Sequence, residues 1–465
     1  MRRPFKGAVL LLLLFGLSAC GVTREYKKPE VTLPESFRGG LSLPKGTLAD
    51  SSVAMLPYNR FFADTTLCVL IDSAVANNLD LLVAVRNIDY AHQTLNASRL
   101  GFLPTLNLGL QTTQTHPSDN GVKTNLEDNS ASLTSSWEVD IWGKIRSRSR
   151  SALASYLKTQ EAAKAVRTRL VADVASGYYN LLMLDVQLEI SKKNLALADT
   201  TVKMIGLQYD AGQVTSLAVQ QQEALRQSIA GSLPAIEQKI AVQENALSTL
   251  CGRMPGAIGR DRALFTIKVA DDLPAGIPVA LLQNRPDVRA AEMAVRGAHA
   301  DMGEARAALY PSLMVTAASG VEAFKKSEWF TFPGSIFGLV QGAVLQPIFQ
   351  RGQLKAKYEQ SKIKREQAEL EFRQALLKAV GEVSNALVAL EKIASQELIA
   401  TERVTTLQGA LSNAGLLFGS GMATYLEVIV AQTNALQAEL ALADIRRQHL
   451  AAKAELYRAL GGGWR

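Results

Sequence analysis

One long unit is written twice along this chain of 465 residues. Pro104 lies in Gly-Phe-Leu-Pro-Thr-Leu and Pro311 in Ala-Leu-Tyr-Pro-Ser-Leu, 207 positions apart. The same shift carries Asn77 onto Asn284, Asp80 onto Asp287, His92 onto His299 and Arg99 onto Arg306. It also carries Ile141-Trp142 onto Ile348-Phe349. Past Gln350 the shift becomes 209: Gly212 falls on Gly421, Leu217 on Leu426, Leu247 on Leu456 and Gly252 on Gly461. Such a period is far too long for a solenoid repeat, whose units run to about 50 residues. It marks a duplicated structural half and hence pseudo-symmetry around an axis.

Each copy predicts the same order of elements. Repeat 1 covers 66–252: a short helix opening near Asn78, a strand pair at 104–116 and 131–141, then long helices at 144–211 and 216–251. A connection follows at 253–280. Repeat 2 covers 281–462: a helix at 286–309, strands at 311–323 and 335–348, then long helices at 351–418 and 424–460. Pro286 suits a first helical position, where its missing N–H has no helical partner.

The long helices are the plainest local reading. No proline occurs between 118 and 233 or after 347. At 1.5 Å per residue, a helix over 144–211 would reach roughly 100 Å. Phe372, Leu376, Val380, Val383, Leu387, Leu390 and Ala394 recur every third or fourth residue, as do Leu170, Val174, Tyr178, Leu181, Leu184 and Leu188. These are apolar seams flanked by charge, so the helices read as coiled coils. Pro234 should kink its helix, whereas the equivalent Ala443 should not.

The strands look membrane-type. Leu106, Leu108 and Leu110 alternate with Thr105, Asn107 and Gln111. Leu133, Trp137, Val139 and Ile141 oppose Thr134, Ser136, Glu138 and Asp140, and Leu313, Val315 and Ala317 repeat the pattern. The fourth strand alternates poorly, and the sequence does not assign its faces. About ten residues of such alternation is the pattern of outer-membrane barrels. Lipid-exposed strands must close, because an open edge leaves bare N–H and C=O groups in hydrocarbon. Four strands are too few, so the chain must oligomerise. A dimer would give eight strands with a filled interior, a trimer twelve with a lumen.

The first residues form a basic stretch, an apolar run from Ala8 to Leu17, and Leu17-Ser18-Ala19-Cys20. This reads as a secretory signal over 1–19, too short to span a bilayer. Leu-Ser-Ala-Cys resembles the bacterial lipobox, which implies cleavage before Cys20 and acylation there, a stable anchor when several chains are attached. Gly21, where inner-membrane lipoproteins usually carry Asp, implies the outer membrane. Residues 20–65, with Pro29, Pro34, Pro44 and Pro57, read as an extended tether. Cleavage removes Arg2, Arg3 and Lys6, lowering the formal charge of +7 by three. That balance does not suggest nucleic acid as a partner. Cys68 and Cys251 read as two separate buried thiols rather than a bridge.

His92 and His299 share a repeat position, but neither has a second ligand at helical spacing, so no metal is expected. His116 and His449 stand apart. No cofactor motif or nucleophile elbow is present, so no enzyme is expected. Lys144, Arg146, Arg148 and Arg150 crowd a helix start, where cations oppose the macrodipole. Their position after a membrane strand points to lipid phosphates of the periplasmic leaflet, with solvated charge as the alternative. Trp137, Trp142 and Phe349 would form an aromatic girdle.

The segment Leu281-Leu282-Gln283-Asn284-Arg285-Pro286-Asp287-Val288-Arg289-Ala290-Ala291-Glu292, running on to Ala308-Leu309-Tyr310-Pro311-Ser312-Leu313, resembles one family. So do the turns Gln208-Tyr209-Asp210-Ala211-Gly212 and Leu417-Phe418-Gly419-Ser420-Gly421. The family is the TolC/OprM-like outer-membrane factors, in their NodT-type efflux lipoprotein branch. The resemblance implies an α+β membrane protein: a homotrimer with a 12-stranded outer-membrane barrel and a coiled-coil tunnel in the periplasm. It implies a passive exit duct for drugs, metals or other solutes. The partners would be a periplasmic adaptor (membrane fusion) protein and an inner-membrane pump. It makes Tyr209, Asp210, Gly212, Phe418, Gly419 and Gly421 the hairpin tips that meet the adaptor. It also places an acid six residues after the tip glycine, which is Glu427 here, as a gate ring, with a solvated glutamate at a helix start as the alternative. Val430 departs from a second acidic position, and Ala218 and Gln221 stand at both positions in the first repeat. A rival reading is a lipid-anchored coiled-coil scaffold or adhesin without a pore.

Overall fold

The computed structural model describes residues 22, 25–30, 34, 37–38, 55–115, 126–261, 263–267 and 284–464. The signal segment, Cys20, His116 and residues 281–283 of the resemblance lie outside the described residues. The elements in chain order are α1 (Tyr58–Phe61), α2 (Thr65–Asn77), α3 (Leu79–Leu100), β1 (Thr105–Thr115), β2 (Leu126–Val139), α4 (Lys144–Asp210) and α5 (Ser216–Leu250). After a 3-10 turn at Leu264–Thr266 come α6 (Pro286–Ala307), β3 (Ser312–Ala323), β4 (Ile336–Leu345), α7 (Gln353–Gly419) and α8 (Tyr425–Ala459). No single helix among the described residues is long and apolar enough to cross a membrane.

The first repeat opens differently from the expectation. Two helices precede the strands rather than one short helix near Asn78. Asp64 starts α2, its carboxylate accepting from the amides of Thr66 and Leu67 at 2.9 and 3.2 Å. Asn78 then ends α2 in an extended conformation and starts α3, its side-chain oxygen accepting from the Leu81 amide at 3.0 Å. α2 buries Leu67, Leu70, Ile71 and Ala74. β2 begins at Leu126, ahead of the expected 131.

The chain divides into two compact units. The first takes in 87–160 and 290–373 and holds the sheet. Its four strands run β1-β2-β3-β4, each antiparallel to the next. Residues directly opposite across a ladder share a face, and successive residues alternate. The register therefore sorts every position. Leu106, Leu108 and Leu110 lie with Ala131, Leu133, Trp137, Leu313, Val315 and Val321. Thr105, Asn107 and Gln111 lie opposite, with Ser130, Ser132, Thr134, Ser136 and Thr316.

The same ladder assigns the fourth strand. Ile336, Gly338, Val340, Gly342 and Val344 belong to the leucine face, and Phe337, Leu339, Gln341, Ala343 and Leu345 to the other. Two glycines on the apolar face and three large apolar residues on the polar face hide the alternation. Gly320 is obligatory in β3, because a Cβ there would lie 2.1 Å from the Ala131 carbonyl oxygen. Also in this unit, the tether docks on α6. Lys28 pairs with Glu292 at 2.7 Å, and the Arg296 guanidinium lies over the Tyr26 ring.

The second unit takes in 31–86, 161–289 and 374–465. Its core joins Leu67 and Ile71 of α2 to Val174, Tyr178 and Leu181 of α4, Leu247 of α5 and Leu450 and Tyr457 of α8. The expected α4 seam is thus buried from Leu170 to Leu184. α5 continues as helix through Pro234. Cys251 is buried, and both it and Cys68 are free thiols. Arg260 ties the inter-repeat connection to Asp185 and Glu244.

The duplication is visible in two close approaches. Gly252 and Gly461, at φ 65° and 90°, pass so near the carbonyls of Asn77 and Asn284 that a Cβ would lie 2.2 and 2.6 Å from their oxygens. Beside them, Asn78 donates to the carbonyl of Leu250 at the end of α5, and the equivalent Arg285 to that of Ala459 at the end of α8. Arg285 is 3% exposed and also pairs with Asp287 and Glu382 at 2.6 and 2.9 Å. Burial alone would raise the Asp287 carboxyl, but the Arg285 guanidinium outweighs it and holds it below the usual carboxylate value. This explains the Arg-Pro-Asp run: it caps the last long helix with a buried cation and starts α6.

Candidate channel mouth and membrane interface

Each hairpin tip is closed by a glycine in the left-handed region, Gly212 at φ 73° and Gly421 at φ 76°. The Gly212 and Gln213 amides bond back to the Tyr209 and Gln208 carbonyls at 2.9 and 2.8 Å. Gly421 and Met422 do the same to Phe418 and Leu417. This pair of bonds satisfies carbonyls that a helix end leaves bare, and it requires a residue without a Cβ penalty.

The two tips then differ. Glu427 stands at the third position of α8, where its Oε2 accepts from the Thr424 amide at 2.6 Å and from Thr424 Oγ1 at 3.1 Å. Thr424 and Glu427 form a capping box. Glu427 is exposed at the helix start. The equivalent Ala218 of α5 is buried, so the first tip carries no box. The Thr-x-x-Glu spacing is the sequence signal for this box, beside the gate reading and its alternative of a solvated glutamate at a helix start.

Tyr209, Asp210, Gly212, Gly419 and Gly421 are exposed. Phe418 is not. It is 4% exposed, packed with Ile205, Ala218 and Val428 in a small cluster that joins the two hairpins. Its repeat partner Tyr209 is 48% exposed. A side chain closed inside the tip is unavailable to a partner, so Phe418 is corrected from contact residue to core. Sequence reasoning missed the exposed leucines beside each glycine. Leu207 and Leu416 are each 71% exposed, and Leu217 and Leu426 each 53%. Equal exposure at equivalent positions marks one repeated apolar surface.

A buried polar layer lies further along the hairpins. Gln222 and Gln432 are fully buried, and their amides meet at 3.4 Å. Gln432 reaches the Asn194 carbonyl at 3.5 Å, and Gln222 Oε1 has no partner among the described residues. These are long, weak bonds, and a buried unpaired oxygen costs about 1–3 kcal/mol.

At the sheet's helical end, Lys144 pairs with Glu138 at 2.9 Å. Asp140 caps α4, its two oxygens accepting from the amides of Ile145 and Arg146 at 2.9 and 3.0 Å. Part of the compensation for cations at a helix start is therefore local. Arg146, Arg148 and Arg150 remain exposed. Trp137, on the apolar face, donates to the Phe102 carbonyl at 2.9 Å. Trp142 stacks on Tyr310 and donates to the Pro311 carbonyl at 2.7 Å, while Phe349 is 82% exposed. A cavity of about 200 Å³ lies here, lined in part by Glu138, Asp140, Trp142, Tyr310 and Gln350. The histidines meet other groups: His92 packs on Tyr156, His299 on Tyr26, and His449 bonds Glu397 at 2.6 Å.

Comparison with known proteins agrees with this geometry. A family model described as outer membrane efflux protein matches residues 70–253 and 277–462. The solvent efflux pump outer membrane protein SrpC of Pseudomonas putida is 28% identical over 99% of this chain and 98% of its own. The probable outer membrane lipoprotein SilC of Salmonella typhimurium is 28% identical over 97% of each. Among solved structures, the open state of the Neisseria gonorrhoeae MtrE outer membrane channel matches with a TM-score of 0.86 and 27% identity, covering 96% of this chain and 99% of that one.

Proposed function

The chain belongs to the outer membrane efflux protein family, and from that premise we propose that it is the passive exit duct of a tripartite efflux system, assembled as a homotrimer. One observation carries the reading. A four-stranded antiparallel sheet has one apolar face and two free edges, β1 and β4. In hydrocarbon those edges must pair, and head-to-tail pairing of β4 with the next subunit's β1 closes a barrel. Three copies give twelve strands and a lumen, the smallest closure that conducts.

The barrel lies in the outer membrane, held by acylated Cys20, and the long helices belong to the periplasm. The protein performs no covalent chemistry and needs no cofactor or metal. An inner-membrane pump supplies the energy. A periplasmic adaptor meets the hairpin tips at Tyr209, Asp210, Gly212, Gly419 and Gly421, and the exposed leucine pairs support an apolar contact there. Three Glu427 carboxylates ring the mouth. The weak Gln222–Gln432 layer favours opening, since it adds little to hairpin cohesion. Arg146 and Arg148, with Lys144 beside them, meet lipid phosphates, and Trp137, Trp142 and Phe349 sit at the interface.

Single-channel recording in planar bilayers tests the proposal against the pore-free scaffold. Purified full-length protein should insert with a discrete unitary conductance. Silent bilayers with membrane-bound protein would leave the scaffold reading.

A further inference from the structure

We propose that the lumen side of β4 is a binding stripe for lipophilic organic cations. The inference rests on the barrel reading, which makes the Thr105–Asn107–Gln111 face the lumen. That face is not uniformly polar. On β1 and β2 it carries Thr105, Asn107, Gln111, Ser132, Thr134 and Ser136. On β4 it carries Phe337, Leu339, Ala343 and Leu345, interrupted only by Gln341, with Met314 and Ala318 beside them on β3. Leu339 and Leu345 are 50% and 66% exposed. Lipid cannot cover these side chains, because the ladder turns them away from the leucine face. Nor can the neighbouring subunit. Among the described residues the only free edge left to pair with β4 is β1, whose residues on this face are Thr105, Asn107, Gly109 and Gln111. The barrel would thus hold three apolar stripes, each flanked by hydroxyls and amides.

Charge sets the sign of the occupant. None of the four described strands contains a lysine, arginine or histidine. The lumen face carries Asp128, Glu138 and Glu322. Glu138 is paired with Lys144, whereas Asp128 Oδ1 is buried without a hydrogen-bond partner among the described residues. Rings of carboxylates favour cations in a pore. An apolar body bearing a diffuse positive charge therefore meets both features at once, and a small hydrated ion meets only the second.

The test is block of single-channel current by tetraphenylphosphonium, tetramethylammonium and tetraphenylborate. In the wild type, tetraphenylphosphonium should block at a concentration at least about tenfold below the other two, a difference equivalent to roughly 1.4 kcal/mol. Leu339→Asn with Leu345→Asn should remove most of that preference in a channel that still conducts potassium. A conducting channel that treats the three probes alike overturns the stripe and leaves the duct standing, and so does a double variant that keeps the wild-type preference. A protein that opens no conductance overturns both. The comparison of probes on the wild type decides the question even where the double variant fails to insert.

Discussion

Replacing Glu427 by glutamine separates its two roles. Glutamine also serves at the third helical position of a capping box, so the bonds to the Thr424 amide and hydroxyl, 2.6 and 3.1 Å in this structure, survive in neutral form. The loss is a charge-assisted contribution at an exposed helix start, about 0.5–1 kcal/mol. α8 is held elsewhere, by Leu450, Ala454 and Tyr457 in the main core, so assembly should be untouched. At the mouth the effect is larger, because a symmetric trimer loses three carboxylates together. The half-blocking concentration of a divalent cation in planar bilayers should rise roughly tenfold, with reduced cation preference. Glu427→Ala should do the same and also loosen the tip by about 1 kcal/mol, because it removes the box. Unchanged conductance, selectivity and divalent block in Glu427→Gln would refute the gate and leave Glu427 as a helix cap alone.

Three further expectations follow from particular contacts. Gly252→Ala and Gly461→Ala should each cost roughly 2–4 kcal/mol, since a Cβ would strike the Asn77 or Asn284 carbonyl; a melting temperature within about 1 °C of wild type would contradict this. Asp287→Asn should lower the melting temperature at neutral pH. The folded-state pKa of Asp287 is depressed, so its contribution is present above the unfolded value near 3.8 and fades as pH falls through the lower folded value; a deficit that widens with acid would contradict the assignment. Mass spectrometry of the mature N-terminal peptide should find Cys20 acylated, and an unmodified terminus at another residue would remove the anchor.

The sequence carried most of this fold because its punctuation is strong. Gly212 and Gly421 stop α4 and α7, Gly252 and Gly461 follow α5 and α8, and only Pro234 lies inside a long helix, so the long helices fall within one or two residues of their expected ends. α2 escaped because Thr65, Thr66, Val69 and Ile71 are β-branched and weak helix formers, and packing on Tyr178 overrides that preference. The start of β2 escaped because Glu127, Asp128 and Asn129 look like a loop until the ladder to β1 is seen. β4 could not be oriented because its polar-face positions carry Phe337, Leu339 and Leu345, and only register reveals the faces. Tyr209 and Phe418 occupy one repeat position with opposite burial. Duplication predicts equivalence of backbone, and the neighbour of each copy decides which side chain is covered.

Subunit count is the most direct test of the duct. Four strands with two free edges cannot close alone, and a dimeric closure would be filled. Native mass spectrometry of the detergent-extracted, full-length protein should give three copies as the main species. A stable monomer or dimer as the main species would contradict the account.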